Sequence, residues 1–309
     1  MSESLFLIVG FACAGIGGEL FVRGTVGLAQ WARISPGIVG ATVAAFATSS
    51  PELSVSISSS LAGSPEISLG DALGSNVINV ALILALALVI SSIRCPRDSL
   101  RRDFPVALAT PVITACLIAD GELSRGDGLV MLGVFFAWLA VVILEVRKQR
   151  SASRKGVETN RGWLAWVLCV LGLLLLVVAG DFIVTGAKSL ARSFGLDEFV
   201  IGATIVAVGT SMPELATTLV AKLRGHDDVG LGTILGSNIF NGVFIVAIAA
   251  IIHPIVVGWR EVAVVLIFGF IVVALPFPSR TNVIERKRGW ILLVFYAGYL
   301  AAILGWHAA

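Results

Sequence analysis

Ten stretches of about 20 apolar residues, joined by short connectors, set the first limit on what this chain can become. They fall at roughly 3–22, 36–60, 67–93, 103–119, 127–146, 162–185, 198–222, 229–252, 258–278 and 289–306. The hydrocarbon core of a bilayer takes about 20 such residues per helix. Within it, a helix satisfies its own backbone without water. Charged residues make up 14% of the chain, against about 25% in soluble domains. The expected class is therefore an all-α integral membrane protein with ten transmembrane helices and no soluble domain of any size. Residues 1–10 contain no Lys or Arg, so the first stretch reads as a retained span rather than a cleaved signal.

The basic residues orient these spans. With residue 1 outside, the loops that fall inside carry 18 of the 22 Lys and Arg, and Arg125, Lys188, Arg192 and Arg260 fall outside. The positive-inside rule then places both termini outside a plasma or inner membrane. The cysteines at 13, 95, 116 and 169 show no CxxC spacing, and Cys95 falls in a cytoplasmic loop as a free thiol. His226, His253 and His307 are scattered, so neither a metal cluster nor a catalytic triad is expected.

A shift of 162 residues superimposes the chain on itself. Residues 40–79 align without a gap on 202–241, with 18 of 40 positions identical. The chain divides into a first five-helix repeat (1–146), a basic cytoplasmic linker (147–161) and a second five-helix repeat (162–309). The linker serves as a topology anchor or touches anionic lipid. Five is odd, so the second half enters the membrane from the opposite side. Inverted halves are a signature of secondary transporters, whose substrate sites lie near the midplane.

The repeated segments are polar where lipid should be. "ATSSPEL" at 47–53 and "GTSMPEL" at 209–215 each place a Pro–Glu pair inside an apolar run. A carboxylate at the bilayer centre costs about 2.5–3.5 kcal/mol on insertion scales, and this chain places one twice. Pro51 and Pro213 have no N–H for the carbonyls four residues back, those of Ala47 and Gly209. Unwound backbone at this depth is expected to line a cavity. Thr48 shares a helix face with Glu52, and Ser75 with Asn79; Thr210–Glu214 and Ser237–Asn241 repeat both pairs. Hydroxyls, carbonyls and carboxylates are hard ligands suited to Ca²⁺ and Na⁺. Two Glu match the charge of one Ca²⁺, and Na⁺ would use the same oxygens in its place.

"GATVAAFATSSPEL…LGDALGSNVIN" and "GATIVAVGTSMPEL…LGTILGSNIFN" resemble the two alpha-repeats of the Ca²⁺/cation antiporter superfamily, in particular the prokaryotic sodium/calcium exchangers. The resemblance implies a cation cluster between spans 2, 3, 7 and 8. Its ligands would be the Ala45 carbonyl, Thr48, Ser49, Glu52, Ser75 and Asn79, and from the second half the Ala207 carbonyl, Thr210, Ser211, Glu214, Ser237 and Asn241. Ca²⁺ would be held by Glu52 and Glu214 with Thr48 and Thr210. Spans 1 and 6, rich here in glycine at 15, 17, 18 and 24, would slide to switch access. Three positions depart from the pattern. Asn241 stands where many relatives have Asp, Ala47 where Gly is usual, and Asp71 where Asn is frequent. Asp71 is either an entrance residue that attracts cations or an ordinary helix-start residue.

The expected function is exchange of Na⁺ for Ca²⁺ by alternating access, not an enzymatic reaction. A proton-coupled Ca²⁺ exchanger is the alternative, although those relatives usually carry Asn in place of Thr48 and Thr210. A cation channel or a Mg²⁺ transporter fits less well. No cofactor is expected. The partners are the two ions and the bilayer, not nucleic acid, and the sequence leaves the oligomeric state open.

Overall fold

The computed structural model describes residues 3–63, 65–152, 162–193, 207–278 and 281–307. Among the described residues the regular structure is helical apart from four two-residue strands. In chain order the helices are α1 (Glu3–Ala32), α2 (Pro36–Thr48), α3 (Ser50–Leu61), α4 (Pro65–Ile90), α5 (Phe104–Leu117), α6 (Arg125–Ala152), α7 (Gly162–Ser193), α8 (Ala207–Thr210), α9 (Met212–Leu223), α10 (Asp227–Ile252), α11 (Trp259–Ala274) and α12 (Arg286–His307). By length and composition α4, α6, α7 and α10 can each cross a bilayer, and α2 with α3 makes a fifth, bent crossing.

Several boundaries differ from expectation. Helix α1 runs ten residues past the apolar stretch, because its last turns still pack on α7: a Cβ at Gly24 would meet the Cys169 amide and the Ala165 carbonyl. Helix α6 continues through Ala152, into the segment expected to be linker. The rest of that segment, 153–161, lies outside the described residues, as does the start of the expected seventh span.

Local chemistry explains the helix starts and stops. Pro36 and Pro65 open α2 and α4, where a missing N–H costs nothing. After α3 and α9, Gly63 and Gly225 adopt φ of 79° and 74°, the left-handed geometry that glycine supplies at a helix end. They are 162 residues apart, so the two halves turn alike.

The halves interlock rather than sit side by side. Strand β1 (Ile93–Arg94) pairs with β4 (Val283–Ile284), and β2 (Glu122–Leu123) with β3 (Ile255–Val256), each pair antiparallel and each joining first half to second. The shift that maps β1 onto β3 also maps β2 close to β4, so each small sheet is the counterpart of the other. At the centre, α4 and α10 are buried over most of their length, while α6 and α7 expose most of theirs. Leu129, Val130, Leu144, Leu174 and Val294 on the periphery are exposed apolar side chains, as lipid contact requires. The helices around α4 and α10 share one apolar core. Helices α1 and α7 form a separate one with parts of α2 and α9.

Close backbone approach joins α2 to α10. A Cβ at Gly236 would collide with the backbone of Ala41, and one at Gly40 would lie 2.7 Å from the Val229 carbonyl. Small residues let membrane helices pack at this range.

Cys95 is free, as expected, but buried at 2% exposure. Its amide donates to the Asn282 carbonyl at 2.8 Å beside the β1–β4 pair. Burial and the Asp103 charge push its thiol up to about 12, far from the thiolate that reacts. Cys95 should therefore resist maleimide from either side of the membrane and label only after denaturation. Mass spectrometry before and after unfolding reads this directly, and full labelling of the native protein would contradict the burial.

Candidate functional site: a buried oxygen cluster between the halves

The chain breaks at Ser49, with φ −86° and ψ 11°, and again at Ser211, with φ −82° and ψ 8°. Helices α2 and α3 meet there at 43°. The first break is one residue wide, since the Ser49 amide still reaches the Ala45 carbonyl at 3.0 Å and the Leu53 amide reaches Ser49 at 3.1 Å. The expected unwound stretch is thus a sharp kink. Its effect is to turn the Glu four residues after each Thr into the centre of the fold.

Glu52 and Glu214 are both fully buried, as are Thr48, Ser49, Ser75, Asn79, Ser237 and Asn241, all at 0% exposure. Their hydrogen bonds cross between the halves. The Ser49 hydroxyl donates to Glu214 Oε1 at 3.0 Å, and the Ser211 hydroxyl to Glu52 Oε1 at 3.5 Å. Ser237 adds a donor to Glu214 Oε1 at 3.1 Å. Each carboxylate is thus positioned by the serine of the opposite repeat.

The remaining oxygens have no protein donor. Glu52 Oε2, Glu214 Oε2, Ser75 Oγ, Asn79 Oδ1, Asn241 Oδ1 and Asp71 Oδ1 are buried and unpartnered. A buried polar group without a partner costs about 1–3 kcal/mol, and more when charged. Six together at the junction of the halves form a set of electron pairs that a hard cation satisfies. Among the described residues no three His, Cys, Asp or Glu side chains group to hold a metal ion. The donor set consists of separate carboxylates interleaved with neutral oxygens.

The Ala45 and Ala207 carbonyls stand differently. Each already accepts two protons: Ala45 from the Ser49 amide and the Thr48 hydroxyl at 3.3 Å, and Ala207 from the Ser211 amide at 3.1 Å and the Thr210 hydroxyl at 3.1 Å. A carbonyl has two lone pairs, so an ion at either one would displace a protein donor. Thr48 and Thr210 spend their protons on these carbonyls, which leaves hydroxyl lone pairs for a cation.

Two residues that sequence reasoning left without a role hold the centre together. Asn76 Nδ2 donates to the Asn238 carbonyl at 3.0 Å, and Asn238 Nδ2 returns the bond to the Asn76 carbonyl at 3.1 Å. Asn238 Oδ1 also accepts from Asn79 at 3.1 Å. Their signal was present in the sequence, since both are identical across the repeat. Their partners lie across the molecule, so no local spacing assigned them.

Hard oxygens around two carboxylates, inside a multi-pass helical membrane protein, define a carrier of small cations. The sequence profile of the family described as "Sodium/calcium exchanger protein" matches this chain twice, over residues 3–144 and 164–305. The chain is 33% identical to the inner membrane protein YrbG of Escherichia coli over 96% of its length and 97% of that protein's. It is 26% identical to the sodium/calcium exchanger MaX1 of Methanosarcina acetivorans, covering 97% of each. Among solved structures, the sodium-calcium exchanger NCX_Mj superimposes with a TM-score of 0.82 at 30% identity, over 97% of this chain and 98% of that one. The chain belongs to the sodium/calcium exchanger family. It is a multi-pass membrane antiporter of Ca²⁺ against another cation.

Proposed function

We propose that the counter-ion is Na⁺ and that Ca²⁺ and Na⁺ occupy the one cluster in turn. The observation that carries this reading is the set of unpartnered buried oxygens around Glu52 and Glu214, whose two charges balance a single Ca²⁺. A cation that satisfies them offsets the cost of burying them. Because both ions need the same donors, binding one excludes the other, and exclusion at one site couples two fluxes.

The proposed ligands are the side chains of Thr48, Ser49, Glu52, Ser75, Asn79, Thr210, Ser211, Glu214, Ser237 and Asn241, with the carbonyls of Ala45 and Ala207 recruited when their own donors turn away. Ten spans in two inverted halves, 1–146 and 162–309, with both termini outside, give the cluster matched routes to the two faces. Helices α1 and α7 are the elements proposed to slide. Their separate apolar core and their close glycine contacts, Gly17 against Gly172 and Gly24 against Ala165, tie the two helices into one unit that moves across the core around α4 and α10.

A proton-coupled exchange is the competing reading. Thr48 and Thr210 favour Na⁺, because the proton-coupled members of the resembled superfamily usually carry Asn at these two positions. Asn241 supplies an oxygen without adding a charge, so no K⁺ requirement is expected. The test is ⁴⁵Ca²⁺ uptake into proteoliposomes under an imposed Na⁺ gradient or an imposed pH gradient, each with and without K⁺. Uptake on the Na⁺ gradient alone, indifferent to K⁺, is the expected result. Uptake on the pH gradient without Na⁺ would overturn the Na⁺ assignment.

A further inference from the structure

The two halves turn alike after α3 and α9, but the side chains at these two turns differ in kind. Residues 58–68 read "SSSLAGSPEIS", and residues 220–230 read "VAKLRGHDDVG". At the first turn Ser60 is buried with its hydroxyl unpartnered, and Ile67 is 57% exposed. At the second turn the counterpart of Ile67 is Val229, which is 0% exposed and packs in a small apolar cluster with Val22 of α1 and Ala221 of α9. Helix α1 therefore covers the second turn, while the mirrored apolar side chain at the first lies open.

Charge reinforces this cover. Lys222 stands where the first half has Ser60, and it is 8% exposed. Its Nζ donates to the Ser92 carbonyl at 2.9 Å, just past the end of α4, and to Asp227 Oδ1 at 3.0 Å, at the start of α10. The turn is thereby anchored to both central helices. Two residues on, Arg224 reaches across to α1. Its Nε donates to Glu19 Oε2 at 2.9 Å, and its Nη2 lies 2.7 Å from Glu19 Oε1, the two-pronged geometry that suits a guanidinium and a carboxylate. Glu19 also pairs with Arg23, one turn further along α1. The counterpart of Arg224 at the other turn is Ala62, which has no charge to offer.

We propose that Glu19 and Arg224 form a one-sided latch. They fasten α1 to the core at the cytoplasmic end while that side is closed, and they part when the α1–α7 unit moves. The inference rests on the exchanger and topology readings above and gives that exchanger a resting side. Lys222 holds Arg224 on the core, whereas Glu19 travels with α1, so a slide of α1 draws the pair apart. Both side chains are partly exposed, so water replaces the lost contacts at small cost and the latch can open in every cycle. An interaction made in one state alone shifts the equilibrium toward that state. With Ala62 at the mirrored turn the bias has one direction, and the unloaded carrier rests closed to the cytoplasm.

The test compares the two faces of the membrane. Glu19→Gln and Arg224→Gln each keep the size and polarity of the side chain and remove one charge. The half-saturating Ca²⁺ concentration for Na⁺-dependent ⁴⁵Ca²⁺ exchange is measured from the cytoplasmic face in inside-out vesicles and from the outer face in right-side-out vesicles. An apparent dissociation constant varies inversely with the fraction of protein open to that face. Either variant is expected to lower the cytoplasmic value about threefold and to raise the outer value by less than about twofold, as fits a partly exposed ion pair. The charge-reversed double variant, Glu19→Arg with Arg224→Glu, should return both values toward wild type. Unchanged values at both faces would overturn the latch. So would equal losses at both faces, or a reversed pair that fails to rescue, because either would mark general damage. The same opposed shifts with the faces exchanged would support the latch and overturn the proposed orientation of the chain. If wild-type vesicles show no Na⁺-dependent Ca²⁺ exchange, the exchanger reading fails first and the latch falls with it.

Discussion

Replacing either Glu52 or Glu214 by Gln is expected to lower Ca²⁺ transport at least a hundredfold while the protein still inserts and folds. The side-chain amide keeps an oxygen for the hydroxyls of Ser211, or of Ser49 and Ser237, that now hold each carboxylate. The scaffold therefore survives. What disappears is half of the charge that matches a divalent ion, and with it an unpartnered oxygen of the cluster. Removing one member of a buried charge-assisted set costs about 2–5 kcal/mol, and about 2.8 kcal/mol is a hundredfold. Glu66→Gln, an exposed carboxylate on the same stretch of chain, is the control and should transport normally. The check is ⁴⁵Ca²⁺ flux in proteoliposomes normalised to folded protein. Near-normal flux in either cluster variant would remove that carboxylate from the ion's path.

The second large effect is expected from packing. Gly236→Val should abolish folded protein or destabilise it by about 3 kcal/mol, at the upper end of what overpacking costs. The reason is the backbone of Ala41, which lies where the new Cβ would go. Neither helix can retreat, since α10 is buried along most of its length and the Asn76–Asn238 pair ties it to α4. Gly133→Val makes the same chemical change on α6, where nothing lies within 4 Å, and should be tolerated. Size-exclusion profiles and melting curves of the two variants compare them directly. A well-folded Gly236→Val protein would show that α2 and α10 can separate without loss.

Much of this architecture was legible in the sequence because it is local. The apolar runs mark helices, the kinks follow from Pro51 and Pro213, and the 162-residue repeat exposes Glu52 and Glu214 as a pair. What stayed hidden depends on how distant segments dock. Spacing could place Ser49 near Glu52, but it could not show that Ser49 serves Glu214 instead, because that bond exists only once the halves interlock. Cys95 read as a free loop thiol, and its burial beside Asn282, 187 positions further along the chain, exists only once the halves interlock. Asp71 read equally well as a cap or an entrance residue, because its burial and its unpartnered Oδ1, six residues into α4, arise from packing that spacing does not show. Helix α1 outran its apolar stretch because Gly24 and Gly27 reward contact with Ala165 and Cys169 of α7, a gain that hydropathy along the chain does not register.

The central claim is that one cluster holds Ca²⁺ or Na⁺ but not both. Equilibrium binding of ⁴⁵Ca²⁺ to the purified protein, titrated with Na⁺ at constant ionic strength, tests it most directly. Bound Ca²⁺ should approach one ion per chain without Na⁺ and fall to zero as Na⁺ rises, with a slope steeper than one ion displacing another. Ca²⁺ that remains bound at saturating Na⁺ would contradict the account, because the two ions would then occupy separate sites and nothing in the cluster would couple their movement.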